Sequence, residues 1–316
     1  MITDFNSSSL GTCEVEAPQG GVFAALWLPT DQDGKLLRDD LAQNLTFLKN
    51  NGVNGVLALG STGEFPQFDL EQRKRALATV AELAAPLQVI ANVSDIRPKA
   101  VAELGRFARE LGLPAIAVMP PGFFPSRQDD ALAHFRHAAD SSQLPTFLYN
   151  FPELTGTRIN LDTVSAFADQ GGMAGIKQSG GEFAYHRELI ALGREKNFAV
   201  FSGADTRLPE VFGLGADGCI GGLVNIAPDL MVHLYQVCRQ GLEGEISPAF
   251  ERLRRIGEII DQLTFPLNVA AGMEARGLRP GVPKAIVSSS SMELYRKIVR
   301  ELRAQLLEWN LELATG

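Results

Sequence analysis

Met173-Ala174-Gly175-Ile176-Lys177 runs directly into Gln178-Ser179-Gly180-Gly181. Four small or apolar residues suit a buried strand, and the polar, glycine-containing run behind them suits a turn. The lysine that closes the strand has two readings. It snorkels into water as an ordinary surface cation. Alternatively, desolvation and neighbouring groups lower its pKa from about 10.4 towards neutrality and make it a nucleophile for carbonyl carbon. The segment alone leaves both open.

Short apolar runs of the same kind recur at Val22 to Leu28, Gly55 to Leu59, Leu87 to Val93, Ala115 to Met119, Thr146 to Tyr149, Phe198 to Phe201 and Gly218 to Ile220. With Met173 to Ile176 they make eight expected strands. They are apolar throughout rather than alternating, as strands buried on both faces are. Between them lie helical spacings of three and four, such as Leu41, Leu45, Leu48 and Val101, Leu104, Phe107, Leu111. Asp39 and Asp40 open the first helix where the macrodipole favours negative charge, and Lys49 with Asn51-Gly52 closes it. An open doubly wound sheet accommodates six or more strands, but eight βα units specify a (β/α)8 TIM barrel better.

The expected organisation is a polar lead-in over 1–20, the barrel over 21–240 and a helical appendage over 241–316. The appendage follows from a helix with Phe250, Leu253, Ile256, Ile260 and Leu263 on one face and a last helix carrying Leu294, Ile298, Leu302, Leu306 and Trp309.

The chain has 316 residues, 45% hydrophobic and 21% charged, which are ordinary globular values that leave ample material for a core. A net charge of −8 argues against a nucleic-acid surface, which needs a basic face. No apolar stretch has membrane-spanning length, and the N-terminus does not read as a signal peptide. Cys13, Cys219 and Cys238 lie far apart, suggesting neither a disulfide framework nor a zinc site, so a cytoplasmic location is expected.

Two motifs are set aside. Gly213-Leu214-Gly215-Ala216-Asp217-Gly218 spells a dinucleotide fingerprint, but it follows a helix and precedes a strand, the reverse of what pyrophosphate binding requires. His134 and His137 share a helix face among charged neighbours, which reads as a solvated face rather than a metal site.

The barrel gives position a meaning, because catalytic residues of this fold sit at the C-terminal ends of strands. Lys177, Tyr149-Asn150, Gly60-Ser61-Thr62-Gly63-Glu64 and Gly203-Ala204-Asp205 then share one mouth. Hydroxyls and approachable glycine backbone after strand two suit a small carboxylate, and the tyrosine suits proton transfer. A nucleophilic lysine in this company suggests imine chemistry on a keto acid.

Gly60-Ser61-Thr62-Gly63-Glu64, Tyr149-Asn150-Phe151-Pro152, Gly175-Ile176-Lys177 and Gly215-Ala216-Asp217-Gly218 leading to Ile220-Gly221 fall in an order that resembles the dihydrodipicolinate synthase and N-acetylneuraminate lyase family of pyruvate-dependent class I aldolases. The resemblance runs from about Val22 to the C-terminal helices. It implies that Lys177 forms a Schiff base with pyruvate or another 2-keto acid, that Tyr149 shuttles protons, that Ser61 joins the relay and that Thr62 holds the pyruvate carboxylate. Gly60, Ser179, Asp205, Thr206 and Ile220 complete the expected substrate-binding set. No metal or organic cofactor is implied, and the expected assembly is a homo-oligomer, a tetramer or dimer.

Departures from the family bear on the second substrate. The synthases place an arginine for the carboxylate of aspartate semialdehyde where this chain has Leu154, and an inter-subunit relay tyrosine where it has Phe123. The lyase branch looks closer, yet Asp205-Thr206 stands where sialic acid lyases have Asp-Glu, and Gly222 replaces a serine. The expectation is therefore an aldolase or lyase acting on a 2-keto-3-deoxy sugar acid or related hydroxy-keto acid. The alternatives are condensation of pyruvate with aspartate semialdehyde and a non-catalytic keto-acid-binding barrel.

Overall fold

The structure, a computed structural model, describes residues 16–314. Most of the expected lead-in, and Cys13 with it, lies outside the described residues. Eight parallel strands, β1 Gly21–Ala25, β2 Gly55–Ala58, β3 Gln88–Asn92, β4 Ala115–Val118, β5 Thr146–Asn150, β6 Met173–Gln178, β7 Ala199–Ser202 and β8 Gly218–Gly221, pair in sequence order and close into a barrel. The helices that connect them are α1 Arg38–Asn50, α2 Leu70–Ala84, α3 Pro98–Glu110, α4 Gln128–Ser142, α5 Pro152–Thr155, α6 Leu161–Ala168, α7 Phe183–Lys196 and α8 Leu208–Leu214. After β8 come α9 Pro228–Gln240, α10 Glu243–Ile260, α11 Leu267–Ala275 and α12 Ser289–Glu308.

The unbroken apolar strands are explained by two cores. Inside the barrel, Phe23, Leu57, Ile90, Phe147, Phe201 and Ile220 fill the axis, and the Phe201 ring meets Phe23 and Phe147 edge-on at centroid distances of 5.5 and 5.7 Å. Outside it, alternate strand residues such as Val56, Ile116, Leu148 and Ile176 pack against the helices. Each strand is therefore wetted on neither face, which removes any reason for polar alternation.

Several boundaries differ from expectation. β1 ends at Ala25, three residues early, because the side chain of Asn225 takes over the pairing there: its Nδ2 donates to Ala25 O at 2.8 Å and its Oδ1 accepts from Trp27 N at 3.1 Å. β6 continues past Lys177 to Gln178, so the lysine is a full ladder member, opposite Tyr149 on one side and Phe201 on the other. The Gly213–Gly218 run closes α8 and enters β8, with Gly215 at φ 97° as the helix cap.

His134 corrects the expectation of a solvated face. It is buried on the inner side of α4, and burial pushes its imidazole pKa down to about 4, whereas His137 is half-buried and its ring bonds to Pro98 O. Three-residue spacing put both on one side of the cylinder, but the lateral shift between them moves one ring under the helix. Among the described residues no group of three His, Cys, Asp or Glu side chains converges as a metal site. No helix among them is long and apolar enough to cross a membrane.

The C-terminal helices follow the expected stripes. Leu253, Ile256 and Ile260 of α10 and Ile298, Leu302 and Leu306 of α12 are buried, while Phe250 and Leu294 are half-buried at the stripe edges. α10 packs on α9 and α12 and crosses the turn Asp205–Arg207 that follows β7. That crossing brings the end of α10 to the mouth of the barrel.

Candidate active site

Lys177 lies within the barrel mouth, only 4% exposed. Its Nζ donates to the Tyr149 hydroxyl at 3.1 Å and sits 4.2 Å from the centre of the phenol ring. Ser61 Oγ is 3.2 Å from the same hydroxyl. Amine, phenol and alcohol thus form a continuous chain across β6, β5 and the turn after β2. The lysine and tyrosine are brought together by ladder register, since they are direct cross-strand partners. Tyr149 is held from outside by the Phe151 ring, stacked on it at 6.3 Å.

The strand ends are tied by polar bonds that use no catalytic group. Asn150 Nδ2 donates to Gln178 Oε1 at 2.6 Å, Ser179 N to Asn150 O at 2.9 Å and Gly203 N to Gln178 O at 2.8 Å. Buried bonds of this type stabilise by about 1 kcal/mol each and, more to the point here, fix register.

The turn at Ser61–Glu64 has a different design. Its Glu64 N–H is used internally, donating to Ser61 O at 3.0 Å, and Phe65 N reaches Gly60 O at 3.5 Å. The N–H groups of Ser61, Thr62 and Gly63 have no acceptor among the described residues. Successive free amides beside a buried hydroxyl, Thr62, form a concavity suited to a small anion.

A cavity of about 240 Å³ opens above Lys177. Of the expected site residues, Lys177, Tyr149, Thr62, Ser179, Asp205, Thr206 and Ile220 line it. Ser61 is off the wall and reaches the site through Tyr149; Gly60 is also off the wall and serves as the acceptor beneath the turn.

Asp205 is the most perturbed acid at the site. Its Oδ2 accepts from Leu223 N at 2.8 Å, while Oδ1 is buried with no partner. Burial lifts its pKa to about 6, against the opposing pull of the Leu223 amide and the Lys177 charge. The carboxyl lies so close over Gly221 that any Cβ there would overlap it.

The wall also contains residues that the pattern reading did not single out for the site. Gly257, Ile260, Asp261, Phe265, Asn268 and Val269 come from the end of α10, the connection 261–266 and the start of α11. Asn268 Nδ2 donates to Asp261 Oδ1 at 3.1 Å. In the sequence Ile260 is visible only as part of an apolar stripe, and Asp261 as the polar residue that ends it. The break at 261–266 was the available signal, since a helix that stops at a polar residue and restarts after a proline makes a corner.

A family profile described as the dihydrodipicolinate synthetase family matches residues 18–305. The 4-hydroxy-tetrahydrodipicolinate synthase of Methanothrix thermoacetophila is 28% identical over 288 residues, covering 89% of this chain and 96% of that protein. The E. coli K12 prophage protein YagE, solved in complex with pyruvate, superposes with a TM-score of 0.83 at 27% identity, covering 92% of this chain and 99% of that one. CdNal of Clostridium difficile, solved with mannosamine, shares the fold with a TM-score of 0.85 at 20% identity, covering 92% of this chain and 99% of that one.

Proposed function

This chain belongs to the dihydrodipicolinate synthetase family, whose members are pyruvate-dependent lyases, and from that premise we propose that it makes or cleaves a carbon–carbon bond between pyruvate and an aldehyde through an imine on Lys177. The observation that carries the reading is the buried chain from Lys177 Nζ through the Tyr149 hydroxyl to Ser61 Oγ at the floor of the cavity.

The neutral Lys177 amine adds to C2 of pyruvate and water leaves, giving a protonated imine that serves as an electron sink. Transfer of a C3 proton into the Tyr149–Ser61 chain gives the enamine. Its C3 forms the new bond to the aldehyde carbon, and the aldehyde oxygen takes a proton delivered by Tyr149, which recovers one through Ser61. Water then attacks C2 and releases the product from the lysine. Cleavage runs the same steps in reverse. Throughout, the Thr62 hydroxyl and the free amides of the Ser61–Gly63 turn hold the pyruvate carboxylate.

For the second substrate we favour an uncharged hydroxy-aldehyde, so that the product is a 2-keto-3-deoxy sugar acid or a related hydroxy-keto acid. Among the described residues Lys177 is the one basic side chain on the cavity wall, and it is consumed in the imine. A second carboxylate would meet no cation there, and Leu154 is off the wall and half-exposed. Condensation with aspartate semialdehyde is the second reading, favoured by the activity in the names of relatives such as the Methanothrix protein.

Exposed Phe123 and Phe124, packed edge to face at 4.7 Å on the loop after β4, support assembly into a homo-oligomer through that rim. The unpaired thiols of Cys219 and Cys238 suit a cytoplasmic protein.

Pyruvate and borohydride should leave a reduced adduct on the wild-type chain and none on Lys177→Ala, read by intact mass. With pyruvate in excess, D-glyceraldehyde should turn over and aspartate semialdehyde should not. Absence of the adduct overturns the imine, and preference for the semialdehyde overturns the substrate class.

A further inference from the structure

Resting on the imine reading above, we infer that the corner between α10 and α11 is the specificity element of this site, with Asp261 and Asn268 binding the hydroxyl groups of the aldehyde beyond its reacting carbon.

The cavity has two differently built halves. Its floor holds Lys177, Tyr149 and Thr62, which pyruvate occupies. Its outer half is bounded by Asp205 and Thr206 on one side and by Asp261 and Asn268 on the other. Asp261 Oδ1 is engaged by Asn268 Nδ2 at 3.1 Å, and Asn268 Oδ1 accepts from Val269 N at 2.8 Å. The amide is thereby locked, and it orients the carboxyl with Oδ2 left over. Across the gap, Asp205 Oδ1 is a buried oxygen without a partner. That oxygen packs against Gly221 at the end of β8, so the Asp205 carboxyl bounds the gap as a fixed acidic wall.

Gly257 supplies an independent observation. It stands inside α10, where glycine is less favourable than alanine. A Cβ there would lie 3.1 Å from Thr206 Cγ2 and 3.9 Å from Asp261 Oδ2. The missing side chain keeps open the gap between the two polar walls. That gap is the part of the cavity an aldehyde chain would enter from the floor.

The chemistry of the wall selects the ligand. Carboxylate oxygens accept and the Thr206 hydroxyl both accepts and donates, which matches vicinal hydroxyls that themselves do both. A second carboxylate is repelled. An ammonium group only donates and offers no acceptor to the Thr206 hydroxyl. The cavity volume of about 240 Å³ lies below the ~300–1,000 Å³ of drug-sized sites, so the aldehyde is short.

The test compares D-glyceraldehyde, propionaldehyde and 3-aminopropanal as acceptors for pyruvate, using wild type, Asp261→Asn and Asp261→Ala. In Asp261→Ala the ratio of kcat/KM for glyceraldehyde over propionaldehyde should fall about tenfold or more, mainly through the glyceraldehyde KM, with Asp261→Asn intermediate. Because the ratio is internal to each protein sample, partial unfolding cannot produce it. An unchanged ratio, or aminopropanal outperforming glyceraldehyde on wild type, overturns the inference. Borohydride trapping of pyruvate on the same samples separates the two claims: a trapped adduct with an unchanged ratio defeats the specificity element alone, whereas no adduct on wild type defeats the imine reading and this inference together.

Discussion

Lys284 and Glu64 form a buried ion pair beneath the candidate carboxylate-binding turn, with Nζ 2.9 Å from Oε2 and side chains 3% and 13% exposed. The ammonium also sits 4.1 Å from the centre of the Trp27 ring, whose indole N–H is fixed by Pro280 O at 2.7 Å. Burial pushes the Lys284 pKa down while Glu64 holds it up. Glu64 itself occupies the left-handed region at φ 55°, and its amide closes the turn onto Ser61. A segment from beyond α11 thus pins the one residue whose backbone shapes the Ser61–Thr62 turn.

Lys284→Met should therefore act on two scales. Breaking a buried pair from one side leaves the other charge uncompensated and costs about 3–5 kcal/mol, measurable by urea unfolding. A loosened turn should raise the KM for pyruvate more than it lowers kcat. Glu64→Gln, which keeps the hydrogen bond and leaves the Lys284 ammonium without its counter-charge, should shift the pyruvate KM less than Lys284→Met does.

Tyr149→Phe separates imine formation from proton transfer. Pyruvate should still be trapped by borohydride on Lys177, more slowly, while steady-state kcat falls by about 10²–10⁴, the usual contribution of a positioned acid–base group. Ser61→Ala should fall less, because the Ser61 side chain meets the site only through the phenol. A Tyr149→Phe enzyme with wild-type kcat would exclude the shuttle role.

The two strongly perturbed groups Asp205 and His134 should give stability slopes of opposite sign. The Asp205 carboxyl, raised by burial from 3.8 to about 6, binds more protons folded than unfolded between those values, so its contribution is present below about pH 4 and lost as pH rises through 6. His134, lowered by burial from 6.5 to about 4, binds fewer protons folded; its contribution is present above pH 6.5 and lost as pH falls through 4. Each amounts to about 3 kcal/mol over the window at ~1.4 kcal/mol per pH unit. Relative to wild type, Asp205→Asn should gain stability and His134→Gln lose dependence on pH as pH is raised from 4 to 6.5, read as unfolding midpoints at fixed ionic strength.

Gly257→Ala should trade activity for stability. Relief of the helix-interior glycine favours folding by about 0.5–1 kcal/mol, and exposed Thr206 can yield to a contact of 3.1 Å. The narrowed gap should raise the KM of the aldehyde and leave imine trapping with pyruvate intact.

The legible part of this molecule was the part fixed by local chemistry. Runs buried on both faces and three-four spacings disclose the barrel because both arise from nearest neighbours and period. Lys177, Tyr149 and Thr62 could be placed at the mouth because strand ends in such a barrel share one rim, and the cavity does bring them together. Asp261, Asn268 and the Lys284–Glu64 pair were not legible for the converse reason. The break at 261–266 marks a corner, but where that corner and the segment beyond α11 come to rest depends on how α10 and α11 dock on the barrel, which no local pattern encodes. His134 misled by the same mechanism, since a charged sequence neighbourhood says little about which side of α4 faces the strands.

The division of the cavity between strand ends and a helical corner also bears on how such a catalyst changes over time. The groups proposed to make the bond, Lys177, Tyr149 and Ser61, sit on β6, β5 and the turn after β2. The α10–α11 corner lines the same cavity but carries none of those groups, so drift at a handful of its positions would redirect which aldehyde is accepted while the reactive half is inherited unaltered. New specificities can then arise in small steps from a working ancestor, without passing through an inactive intermediate.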